Sequence, residues 1–494
     1  LFYQKKFTLV KISICDGSKP TWLINKKIIT RVINMKVFFS KHTTAQRKKN
    51  LFSQNFLLIT TSGGGGHLQA ALAKKNEILE KYPSSKIFEK NIVEKAGGKY
   101  LGKFMIDVIW NSAQRKGSVI ALNLCAYSIP IFDILFWIPV FFQVFKLLKN
   151  HDIDHVIDTQ PMATSSIATA TYLYKKLYNK EILIEKVLTE LPTVKSSHYL
   201  SPLKRLCVRK RNLFRLLTTQ PLLTPFKTEE EFWFSLAGLR LDQVVYQSLP
   251  IRPFFKHQPS FNGDLKLLIQ IKDLKERSVL EDFFKSKVDF KDLSYKITIP
   301  AYDYVVTLML GSQPPQEASL SYVEHFIEFV KNFSTATTFW LFVFCSDKKY
   351  EPIPLQQRIC KMVGNVKAFP KNLHILPMSS QQDSVIAPLY ARSEATITKA
   401  GGITAMELLQ TAKGQIWIHY EKKAHWLLSY SSYKGMPKWE YGNMLYLQNK
   451  KQAALITPED FYPSCLEYFS IKNNCFHPQE QKQNLSRILS SHGA

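Results

Sequence analysis

The chain is poor in the spacings that mark a bound metal or a nucleic-acid reader. Its seven cysteines (Cys15, Cys125, Cys207, Cys345, Cys360, Cys465, Cys475) include no CxxC pair, so reduced thiols in a cytosolic compartment are expected. There is no zinc-finger spacing, no RNA-binding aromatic signature and no long arginine-rich tract, and no nucleic-acid partner is expected. Residues 1–34 contain no methionine. A natural start at Met35, or an unusual start codon at Leu1, is expected, and residues 1–50 are set apart as an N-terminal extension. They lack the long apolar core of a secretory signal. No internal repeat is visible.

What is present is a large apolar fraction and an excess of positive charge. At 494 residues and 45% hydrophobic content the chain can build two or three domains. Lys and Arg number 66 against 39 Asp and Glu, a net charge of +27 spread along the chain. Such a charge favours nucleic acid or an anionic membrane and by itself does not choose between them.

The organising stretch is Thr60-Thr61-Ser62-Gly63-Gly64-Gly65-Gly66-His67. It follows the apolar run Phe56-Leu-Leu-Ile59 and opens onto a helix that carries Leu68, Ala71, Leu72, Ile78 and Leu79 on one face. Contiguous glycines let backbone approach a ligand closely, and the positive end of the next helix favours anionic or oxygen-rich groups. His67 falls on the first helical turn, where the dipole depresses its pKa and a neutral imidazole can take a proton. The plainer reading is a tight strand-to-helix turn with a surface histidine. No Lys-Ser/Thr follows as in a P-loop, and the glycines are contiguous, so neither usual nucleotide signature applies.

Strand, loop and helix then alternate. Ile153–Asp158 leads through Thr159-Gln-Pro to an alanine-rich helix, and Ile182–Leu188 leads to Thr189-Glu190. Tyr304–Leu310, Phe339–Cys345, His374–Pro377 and Ala395–Thr398 repeat the pattern in the second half. Such repetition predicts parallel sheets covered by helices, with functional loops at the carboxyl ends of the strands. Leu249-Pro-Ile-Arg-Pro253, stiffened by two prolines, reads as a linker between the halves. The expected boundaries are 51–250 for a first domain, 251–303 for linker and insertion, 304–455 for a second domain, and 456–494 for a helical tail.

Val119–Leu148 is apolar and aromatic and long enough for a bilayer. Asp133, Gln143 and Lys146 interrupt it, and Pro130 and Pro139 break regular helix. Three readings stand: a membrane span, a segment that inserts into a surface or lines a groove, and ordinary core. A second glycine turn, Lys399-Ala-Gly-Gly-Ile-Thr-Ala-Met-Glu407, sets Gly401 and Gly402 at a helix start beside a lysine and the Thr404 hydroxyl, a good cradle for a diphosphate. Glu407, on the same face as Thr404, can accept both hydroxyls of a ribose. The plainer reading is a capped helix with an early glutamate.

With these residues the chain resembles the two-domain GT-B glycosyltransferases, in particular the monogalactosyldiacylglycerol synthases and processive diacylglycerol glucosyltransferases. The peptidoglycan N-acetylglucosamine transferase is a more distant likeness. Ser62–His67, Leu249–Pro253, Thr398–Glu407 and Glu440-Tyr-Gly-Asn443 occur in the family's order over about residues 51–455. Asp158-Thr-Gln-Pro161 and Thr189-Glu190 look like two further family loops, and Trp439 stands where a polar residue is expected. The resemblance implies an α/β fold of two Rossmann-like doubly wound domains facing a central cleft. It implies transfer of a hexosyl group from a UDP-sugar to a lipid acceptor such as diacylglycerol, by an enzyme that is cytoplasmic and peripherally bound to an anionic membrane.

By motif, Gly63, Gly64, Gly65 and Gly66 would form the acceptor loop, and His67 would act near the acceptor hydroxyl with Glu190 or Asp158 as helper or alternative base. Gly311 and Ser312 would belong to the donor site, Gly401, Gly402 and Thr404 would hold the diphosphate, and Lys399 would neutralise it. Glu407 would hold the ribose, and Glu440, Gly442 and Asn443 the donor sugar. No metal and no cofactor is implied, since helix-terminal N–H groups and a basic side chain stabilise the leaving diphosphate. The rival classes are a GT-B nucleotide-sugar epimerase or hydrolase, and a non-catalytic membrane-binding descendant.

Overall fold

The computed structural model describes residues 54–61, 65–96, 110–247, 251–256, 263–285, 288–345, 353–421, 435–451 and 453–476, all within one compact unit, Gln54–Ala494. The expectations on residues 1–50, Gly63, Gly64, Leu249 and Pro250 lie outside the described residues.

Two six-stranded parallel sheets carry the fold. The first contains β1 (Asn55–Thr60), β2 (Lys86–Asn91), β3 (His155–Asp158), β4 (Leu183–Val187), β5 (Phe214–Thr218) and β6 (Val244–Tyr246), in the order β2-β1-β3-β4-β5-β6. A three-stranded antiparallel sheet follows, β7 (Leu265–Gln270), β8 (Phe290–Lys291) and β9 (Ser294–Ile299), in the order β7-β9-β8. The second parallel sheet contains β10 (Tyr304–Met309), β11 (Phe339–Phe344), β12 (Leu373–Met378), β13 (Ala395–Thr398), β14 (Gln415–His419) and β15 (Ala453–Ile456), in the order β12-β11-β10-β13-β14-β15.

Both parallel sheets are doubly wound. Their central strands read as unbroken apolar runs because helices cover both faces; Leu57, Leu58 and Ile59 of β1 and Val305 and Val306 of β10 are fully buried. The winding reverses between β1 and β3 in one sheet and between β10 and β13 in the other. Loops leaving the carboxyl ends of strands diverge there and open a crevice for a ligand.

The helices that matter for the crevice are α1 (Gly66–Lys81), α2 (Asn111–Arg115), α3 (Val119–Leu135), α4 (Trp137–His151), α5 (Thr164–Tyr178), α6 (Leu274–Phe284), α7 (Gln316–Asn332), α8 (Asp383–Arg392), α9 (Gly402–Thr411), α10 (Lys438–Lys450) and α11 (Pro458–Phe476). The stretch read from sequence as an irregular insertion is ordered. Leu265, Leu267 and Ile269 of β7 face Tyr295, Ile297 and Ile299 of β9 in alternation, and Leu280 of α6 joins the same core. The expected helical tail is integral to the second domain: Phe461, Cys465 and Phe469 of α11 are buried beside Tyr322 and Phe326 of α7.

No single helix among the described residues is long and apolar enough to cross a membrane. The pair α3 and α4 passes by length and composition together, but the two helices bend by 65° at Phe136. Pro130 is accommodated inside α3, and Pro139 sits in the first turn of α4, where its missing N–H costs nothing. Asp133 is not exposed to an apolar medium. Its Oδ1 accepts the Ala163 N–H at 2.6 Å and ties the corner to the loop before α5.

Candidate functional site

A cavity of about 290 Å³ lies between the two sheets, against both reversal points. Its two walls are strand-to-helix turns of the same kind. On one side Gly65, at φ 77°, caps α1; on the other Gly401 caps α9. Neither glycine has a side chain that could accept from the first-turn N–H groups, which leaves those donors at both ends for an anionic or oxygen-rich ligand. Gly66 comes close to Ile403 across the gap. Gly402 packs so tightly on the Thr189 carbonyl that any Cβ there would collide with it. Gly311, at φ 83° in the left-handed region, and Ser312 continue the second wall.

His67 is fixed from three directions. Its carbonyl accepts from the Thr60 and Thr159 hydroxyls, its Nδ1 lies 2.7 Å from the Thr159 carbonyl, and the Thr189 hydroxyl is 3.1 Å from the same nitrogen. A carbonyl only accepts, so Nδ1 carries the proton and Nε2 presents its lone pair. Loss of hydration, opposed by the Thr159 bond and aided by the Lys186 charge, pushes the imidazole down to about 4. The ring is therefore neutral at pH 7.

Glu190 also lines the cavity, on the loop after β4. Burial pushes its carboxyl up to about 8, against the hydrogen bonds from Asn443 and Tyr199 that favour the ionised form. It is mostly protonated at pH 7 and is then a donor rather than a base.

The structure brings Lys399, Thr404, Glu407 and Glu440 to the same cavity. Lys399 Nζ donates to the Gln114 carbonyl in α2, and burial lowers its pKa while Glu440 and Glu421 oppose the drop. Glu440 is shifted upward by burial, with Lys399 opposing.

Three expectations are corrected. Asp158 is fully buried away from the cavity, its Oδ2 2.6 Å from Lys186 Nζ and its Oδ1 accepting the Gln160 N–H. It shapes the Thr159 loop and does not line the cavity. Asn443 is fully buried too: its Oδ1 accepts the Leu191 N–H at 2.9 Å, and its Nδ2 donates to Glu190 and to the Ala400 carbonyl at 2.7 Å. It bridges Leu191 and Glu190 to Ala400 and does not line the cavity. Gly442 allows α10 to approach Thr193, which a Cβ would strike.

Sequence reasoning gave no site role to Arg252, Trp110 or Trp439, all of which line the cavity. The two indoles stack at 5.8 Å between ring centres. Arg252 stood in plain view inside the two-proline linker, but a charged residue in a linker gives no hint that it turns inward. Among the described residues no group of three or more His, Cys, Asp or Glu could hold a metal ion.

No family model matches the chain, and no curated protein matches it. Among solved structures it is similar to MurG of Acinetobacter baumannii, at 12% identity over 84% of this chain and 90% of that chain, with a TM-score of 0.43. It is similar to the spinosyn rhamnosyltransferase SpnG, at 8% identity over 84% and 92%, with a TM-score of 0.42. It is also similar to UDP-GlcNAc 2-epimerase from Neisseria meningitidis bound to UDP-GlcNAc, at 11% identity over 86% and 100%, with a TM-score of 0.35. Likenesses this distant carry no argument for an activity, and the site is read from its own residues.

Proposed function

We propose that the protein is a glycosyltransferase of the GT-B kind, moving a hexosyl group from a UDP-sugar to the hydroxyl of a lipid such as diacylglycerol at an anionic membrane surface. The observation that carries the reading is the meeting of two uncapped glycine turns, one with a neutral, oriented histidine and the other with a lysine and a buried glutamate, across one cavity. His67 Nε2 takes the proton of the acceptor hydroxyl. The acceptor oxygen attacks the anomeric carbon, the bond from that carbon to the diphosphate oxygen breaks, and the electron pair leaves with UDP. The α9 N–H groups and Lys399 stabilise the departing charge, and Glu407 receives the ribose.

A lipid acceptor is favoured over a soluble one by the outer face of α3 and α4. Leu124, Tyr127, Ile131, Ile134, Ile138 and Phe142 are each more than half exposed, at spacings that put them on one side. Exposed Lys116, Lys146 and Lys149 flank them. An apolar patch rimmed by cations suits an anionic membrane, and a nucleotide-sugar epimerase has no use for it. Incubation of the purified protein with radiolabelled nucleotide sugars and a total lipid extract tests the proposal. Label from a UDP-sugar should pass into the organic phase. Label that stays in the aqueous phase as free or epimerised sugar would assign the site to the rival class.

A further inference from the structure

We propose that Arg252 is a positioning residue of the donor site, its planar guanidinium fixing the Glu407 carboxylate in the orientation that receives a pair of ribose hydroxyls. The inference rests on the reading of Glu407 as the ribose acceptor. Arg252 Nε donates to Glu407 Oε1 at 2.6 Å and Nη2 to Oε2 at 2.8 Å, a parallel fork, while Nη1 donates to Asp383. The guanidinium is held over the Phe255 ring at 4.5 Å, and Pro253 stiffens the chain next to it.

Both partners are buried, yet both line the cavity. Each carboxylate oxygen spends one lone pair on the fork and keeps a second. A vicinal diol needs two acceptors at fixed separation and angle, and a carboxylate free to rotate offers them only part of the time. The fork removes that rotation before the ligand arrives.

The fork has an electrostatic consequence as well. Burial drives the Glu407 carboxyl upward, Arg252 opposes the rise and Asp383 adds to it. Among the described residues, the charged or titratable groups facing Glu407 are Arg252 on the linker and Asp383 and Tyr390 on α8. Without the guanidinium, Glu407 would lie beside a second carboxylate with no cation, and its carboxyl would be driven further upward, toward the protonated form. A protonated carboxyl offers the diol one acceptor fewer.

The test is titration calorimetry with UDP on the full chain at pH 6 and pH 8, for the wild type, Glu407→Ala, Arg252→Gln and Arg252→Lys. Division by the wild-type affinity at each pH cancels the titration of UDP itself. Arg252→Gln should bind about tenfold more weakly at pH 8 and weaker still at pH 6. Arg252→Lys restores a cation but not the fork, so it should bind roughly threefold more weakly at both pH values. That variant keeps a positive charge between the buried Glu407 and the half-buried Asp383 and carries the test if Arg252→Gln does not fold. A purely structural arginine would lower affinity by the same factor at both pH values for Gln and Lys alike, and that result overturns the proposal, as does wild-type affinity in either variant. If Glu407→Ala binds UDP as tightly as the wild type, the ribose reading itself fails. A weakened Glu407→Ala beside unchanged Arg252 variants overturns the positioning role alone.

Discussion

A carboxyl that burial pushes up to about 8, as at Glu190, takes up a proton on folding at neutral pH. The unfolded chain holds that group near an ordinary glutamate value, so the folded state binds more protons between the two. Stability from this residue is therefore fully present below about 4.5 and is lost as pH rises toward 8. Glu190→Gln mimics the protonated form and should flatten the fall of the melting temperature between pH 5 and pH 8. An unchanged slope would mean that Glu190 is ionised in the folded protein and remains a candidate base. His67 has the opposite sign: pushed down to about 4, it stays neutral where an ordinary histidine titrates, and it should add no step to the rate near pH 6.5.

At the scale of elements, the helical pair α3 and α4 makes the sharpest prediction. Ile131 and Ile134 are 60% and 68% exposed and belong to no core. Replacing both by Asp should change folding stability by only about 0.5 kcal/mol or less each, while flotation with anionic vesicles falls sharply. Wild-type flotation should also fall with salt. Variants that float as well as the wild type would remove this face from membrane contact. The sequence announced the segment but left it between span, surface and core, because composition does not contain the 65° bend at Phe136 that decides how the two apolar stretches are shared. At the glycine turns, Gly65 answers a demand of backbone geometry and Gly402 one of close approach, both local, whereas Gly401 has extended backbone and open space around it. Asp158, Asn443 and Arg252 were misread or missed because their partners lie 28, 252 and 155 residues away, and no local pattern encodes such pairings. The antiparallel β7-β9-β8 unit was hidden for a related reason: the run that holds it is lysine-rich and its alternation short.

For the whole molecule, chemistry depends on two sheets that share one cavity. Asn443 holds Leu191, Glu190 and Ala400 together, and Gly402 seats directly on Thr189, so the loop after β4 and the turn before α9 are aligned on one another across the two domains. The proposed function gives proton removal to the first domain and donor binding to the second. The measurement that tests the assignment most directly is the rate of lipid glycosylation and the affinity for UDP, both taken on the same preparation of His67→Ala. The account predicts a loss of ~10²–10⁴ in turnover with UDP affinity nearly unchanged. Equal losses in rate and in UDP affinity, or full activity in the variant, would contradict it.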